Sequence, residues 1–134
     1  MDDAPTRSEG YSDIVLDHFE RPRNNGALEE PDAIGYMTNP VCGDTLLLML
    51  RVRDGVIVEA GWQSDGCAAS IAASSLLSEL VRGRSLEEAG AMTRESLVEA
   101  LGGLPVSKLH AGVLAADALA RALEDLRGRR EAGD

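Results

Sequence analysis

A chain of 134 residues, 44% apolar and 27% charged, is long enough to bury one core and has the composition of a soluble globular domain. A formal charge of −10 gives a nucleic-acid role no electrostatic footing, and no apolar run approaches a membrane span. Two cysteines cannot make a disulfide framework, so a reduced, cytoplasmic protein is expected.

Residues 1–10 are polar and acidic, unlike a secretory signal or an Arg-rich transit peptide, and read as a disordered N-terminal tail. From Tyr11 the pattern turns helical: Tyr11, Ile14, Val15, His18 and Phe19 recur at three- and four-residue spacing. Pro22 and Asn24-Asn25-Gly26 end that helix. A polar connector leads to a short extended segment around Ile34 to Asn39. Two strands follow, with Leu46, Leu48, Leu50 and Val52 on one face of the first and Val56, Val58, Ala60 and Trp62 on one face of the second. Asp54-Gly55 between them is a strong hairpin signal, since both turn positions want positive φ.

After Gly66 the period is helical again, with Ala69, Ala72, Ala73, Leu76, Leu77, Leu80 and Val81 as a stripe that Gly83 terminates. Ser85-Leu86-Glu87-Glu88 reads as a capping box opening a short helix, and Thr93 caps another that Gly102-Gly103 breaks. Pro105 and Ser107 open the last helix, with Leu109, Val113, Ala116, Leu119, Leu123 and Leu126 as its apolar positions. The layout is α+β: a small antiparallel three-stranded sheet packed against about five helices. The domain is expected over residues 11–127, followed by a charged tail over 128–134.

Chemistry concentrates in few residues. Cys67 lies where a strand ends and a helix begins, and at a helix N-terminus the dipole and free N–H groups favour a thiolate. A small buried hydrophobe at the junction is the other reading. Cys42 and Asp44 flank Gly43 and can project to one side, offering sulfur and oxygen to one metal; Asp44 as a plain turn former is the alternative. The start of one hairpin strand and the end of the other are neighbours in space, which is a geometric reason for the two thiols to meet. His110 opens the last helix and would add an imidazole, although a lone histidine there is often only a surface residue. Thiolate with imidazole selects zinc or iron–sulfur chemistry over magnesium or calcium.

Taken together, the motifs Tyr11-Ser12, Asp17-His18-Phe19, Pro22-Arg23-Asn24, Cys42-Gly43-Asp44, Gly66-Cys67 with Ser70 to Ser75, and Leu104 to His110 make the chain resemble the IscU/NifU-type iron–sulfur cluster scaffold family. The resemblance runs from Tyr11 to about Leu126. It implies a non-enzymatic scaffold that assembles a transient [2Fe–2S] cluster, or binds iron, through Cys42, Asp44, Cys67 and His110, and gives the cluster to apo-proteins. Implied partners are a cysteine desulfurase, apo iron–sulfur acceptor proteins, and a DnaK-type chaperone with its co-chaperone. The chaperone would recognise Leu104, Pro105, Val106 and Lys108. A monomer or weak homodimer is implied, with no nucleic-acid or membrane partner. Two departures stand out: Ala111 occupies the place of the family's third cysteine, and Val106-Ser107 stands where Pro-Val is usual. Two rival readings are a zinc-binding sulfur acceptor that partners a desulfurase, and a metal-free interaction protein.

Overall fold

Asp54 and Gly55 both take positive φ, +52° and +75°, and so close the hairpin that organises the sheet. The computed structural model describes residues 5–40 and 42–133. Strands β1 (Ala33–Thr38), β2 (Thr45–Arg53) and β3 (Val56–Asp65) form an antiparallel sheet in the order β1-β2-β3. Five helices accompany it among the described residues: α1 (Asp13–Glu20), α2 (Ala68–Val81), α3 (Leu86–Gly90), α4 (Arg94–Ala100) and α5 (His110–Gly133). The expected α+β architecture is the one observed. No helix among the described residues is long and apolar enough to cross a membrane.

The inner face of the sheet carries Leu46, Leu48, Leu50, Ile57, Ala60 and Trp62, all buried against α2 and α5. The face expected for β3 is half wrong. Between Arg51 and Val52 the register shifts: Arg51 pairs with Glu59 and Val52 with Ile57, leaving Val58 without a partner. A bulge of this kind adds one residue and inverts the alternation beyond it. Ile57 is therefore fully buried and Val58 is exposed.

The last helix also differs from expectation. A 3₁₀ turn over Val106–Lys108 precedes α5, and α5 continues through the residues expected as a charged tail, to Gly133. Its buried positions are Ala111, Gly112, Leu114, Ala115, Ala118, Leu119, Ala122 and Leu126, so Leu109, Val113, Ala116 and Leu123 do not line the centre of its buried stripe. Small residues are needed there because α5 lies directly on β1. A Cβ on Gly35 would sit 2.6 Å from the Ala122 backbone nitrogen and would also meet the Ala118 carbonyl oxygen. At the other end, residues 1–4 of the expected tail lie outside the described residues, and Arg7–Glu9 form a 3₁₀ turn.

Helix α1 is fastened at both ends. Ser12 caps it by accepting from the Val15 N–H, and its hydroxyl donates to the Leu101 carbonyl after α4. At the C-terminal end, His18 is buried with Nδ1 2.7 Å from the Ser75 hydroxyl and Nε2 3.3 Å from Glu79. The Ser75 oxygen also accepts from the Arg23 N–H at 2.8 Å, so one α2 hydroxyl ties the end of α1 to the turn that follows it. Burial lowers the His18 pKa below its usual 6.5, Arg23 lowers it further, and Glu79 and Asp17 only partly oppose them. The unfolded chain then binds more protons than the folded one as the pH falls. His18 contributes stability that is present above 6.5 and lost through the depressed pKa. Thermal melts across that range should show His18→Gln with a shallower acid slope than the parent. An unchanged slope would remove His18 from the account.

Candidate metal centre

The centre is built where the hairpin's open ends meet two helix starts. Thr45 pairs with Asp65, so the residues just before β2 and just after β3 are brought side by side. Before β2, the Asn39 N–H donates to the Asp44 carbonyl at 2.8 Å and the Gly43 N–H to the Asn39 carbonyl at 2.7 Å. Gly43 takes φ +77°, which closes this loop. Cys42 stands exposed on it, while Asp44 is buried at its base. Val41, which precedes Cys42, lies outside the described residues.

After β3, Gly66 leads into Cys67, the N-cap residue of α2. The approach to Asp44 is so close that a Cβ on Gly66 would lie 2.6 Å from the Asp44 Cγ. Only glycine fits. His110 arrives from the first turn of α5, partly exposed.

The Cys42 sulfur, an Asp44 carboxylate oxygen and a His110 ring nitrogen all lie within 4.8 Å of one another. The expected set of four is thus brought together as three donors with Cys67 beside them: its sulfur is 3.8 Å from His110 Nε2, and it is not part of the three-donor cluster. His110 Nε2 is also 3.6 Å from Asp44 Oδ2. That oxygen accepts from the Ser70 hydroxyl at 2.7 Å and from the Cys67 N–H at 3.3 Å. Burial pushes the Asp44 carboxyl upward, but the Ser70 hydroxyl, the Cys67 N–H and the two thiols outweigh it, leaving the pKa below 3.8. A carboxylate, two sulfurs and an imidazole are donors of the type that holds zinc or iron.

Ala111, where a further thiol would follow His110, is fully buried in the hydrophobic core. Of the expected recognition stretch, Leu104, Pro105 and Lys108 are half-buried, whereas Val106 is 86% exposed on its 3₁₀ turn. Sequence reasoning missed three residues here. Ser70 is, in the sequence, only the first residue of the Ser70 to Ser75 motif, yet it bonds Asp44. Gly66 marks in the sequence only where the helical period resumes, with no sign of the carboxylate that requires it. Tyr11 fits a helix face by its spacing, but it is buried near the centre: burial raises its phenol pKa, Lys108 opposes that and Cys67 reinforces it. No local signal distinguishes such residues, because each acts on a partner far away in the chain.

A sequence model of the NifU-like N-terminal domain family matches residues 10–132. Over 115 residues the chain is 50% identical to the iron–sulfur cluster assembly scaffold protein IscU 1 of Archaeoglobus fulgidus, covering 86% of this chain and 75% of the relative. It is 41% identical over 126 residues to the iron–sulfur cluster assembly scaffold protein IscU of Escherichia coli, covering 91% of this chain and 98% of the relative. Among solved structures, a nitrogen-fixing NifU-like protein (N-terminal) from Brucella abortus superposes with a TM-score of 0.75 at 21% identity, covering 92% of this chain and 98% of that one. At that identity the structural likeness concerns the fold alone.

Proposed function

We propose that the chain, which belongs to the NifU-like N-terminal domain family, is a non-enzymatic scaffold for iron–sulfur cluster assembly. It builds a [2Fe–2S] cluster as cargo and passes it to apo-proteins. The observation that carries this reading is the meeting of the Cys42, Asp44 and His110 donors, with Cys67 alongside, at one partly exposed place. Its relatives at 41% and 50% identity are named as cluster scaffolds, which supports the same reading.

Each residue then has a task. Cys42 is exposed and suited to meet a desulfurase. Its thiolate would attack the outer sulfur of the enzyme's persulfide, forming a new S–S bond as the enzyme's thiolate leaves. Each sulfur so received needs two electrons to become sulfide, supplied by an external electron-transfer protein. Cys67 and His110 would complete the shell around iron, and Asp44 would add a hard oxygen ligand that exchanges readily. Val106 and its neighbours Leu104, Pro105 and Lys108 offer a chaperone a projecting segment. The setting proposed is the cytoplasm, with the protein a monomer or weak homodimer.

Anaerobic incubation with iron, sulfide and a cysteine desulfurase, followed by visible absorption and metal analysis, tests this. A sulfur-to-iron charge-transfer band is expected on the chain; after apo-ferredoxin is added and the two proteins are separated, it is lost from the chain and found with the ferredoxin. One tightly bound zinc that iron does not displace would favour a sulfur acceptor instead, and a colourless, metal-free protein an interaction module. Asp44→Ala should slow release of the cluster to the acceptor, since the most exchangeable ligand is gone. Identical transfer rates would reduce Asp44 to a turn residue.

A further inference from the structure

We propose that Ser70 is the positioning residue of the metal centre, its hydroxyl holding the Asp44 carboxylate in the orientation that serves the metal. The inference rests on the scaffold reading and deepens it. Ser70 is 1% exposed in the first turn of α2. It does not cap the helix, because Cys67 holds the N-cap position. Its hydroxyl reaches 26 positions back along the chain to donate to Asp44 Oδ2 at 2.7 Å.

The carboxylate is confined on several sides. Gly66 leaves no room behind it, and the Cys67 N–H binds the same oxygen that Ser70 does, at 3.3 Å. The Ser70 oxygen also lies 3.6 Å from the Cys67 sulfur, so one side chain touches two of the metal's donors. With its single proton committed to Asp44, it meets that sulfur through a lone pair. Hydrogen bonds to an ionised carboxylate are short and strong, and partners that orient metal ligands in this way typically change affinity about 10–100-fold when removed.

The test uses cobalt(II) as probe with the full chain, read by visible spectroscopy. The parent should bind one equivalent with thiolate charge-transfer and d–d bands. Ser70→Ala should weaken binding about tenfold and alter the d–d bands, which report geometry, while keeping the thiolate band. In an Asp44→Ala background the same substitution should have no further effect, and Ser70→Thr, which keeps the hydroxyl, should restore parental affinity. A merely structural serine would not show that dependence on Asp44. Unchanged affinity and bands in Ser70→Ala, or equal weakening with and without Asp44, overturns the inference and leaves the centre standing. A parent that takes up no cobalt overturns the centre and the inference together. Should the alanine variant not fold, Ser70→Thr decides: parental d–d bands support the role and altered ones overturn it.

Discussion

Cys67→Ser is expected to abolish stoichiometric zinc or iron binding while leaving the fold as stable as before, or more so. The two effects separate because Cys67 occupies two roles at once. As the N-cap of α2 it makes no side-chain capping hydrogen bond. Serine is among the best N-cap residues, and a hydroxyl there satisfies a free backbone N–H, worth about 0.5–2 kcal/mol. As a metal ligand the exchange runs the other way. The sulfur 3.8 Å from His110 Nε2 is replaced by a hydroxyl, a poor donor to soft or borderline metals. Metal analysis beside a urea unfolding curve reads both. Full metal stoichiometry in the variant would exclude Cys67 from the centre.

Gly35→Ala should be the most damaging single methyl group in the chain. A Cβ at that position meets backbone atoms of α5, the Ala118 carbonyl oxygen and the Ala122 nitrogen, rather than the movable end of a side chain. Helix backbone cannot turn aside, so α5 must shift off β1, loosening Leu114, Ala118, Leu119 and Ala122, which are buried with the inner face of the sheet. Overpacking of this kind costs about 1–3 kcal/mol and occasionally more, and here the upper end is expected. Because α5 begins at His110, the shift should also withdraw the imidazole from the centre. A urea midpoint that drops together with metal affinity fits this. A midpoint within error of the parent would mean that the helix has more freedom against the strand than the packing indicates.

Local chemistry was legible in the sequence. The Asp54-Gly55 turn, the Ser85–Glu88 capping box and the Thr93 cap each depend on residues a few positions apart, and each is present. That the loop before β2 and the turn after β3 adjoin was also readable, because antiparallel pairing forces the hairpin's open ends together. Features set by distant partners were not. The bulge that exposes Val58 depends on the competition between two strand registers, and alternation alone carries no sign of it. In α5 alanines occur on several faces, so hydrophobic spacing could not choose among them. The decision is made by Gly35, on a strand far away. Ser70 and Gly66 matter only because Asp44 folds against them.

If donors from the start of the hairpin, its end and the head of α5 surround one metal, X-ray absorption at the zinc edge of protein loaded with one equivalent of zinc will read all of them at once. Two sulfurs at about 2.3 Å and two lighter donors at about 2.0–2.2 Å are expected. A shell with fewer than two sulfurs would contradict that arrangement.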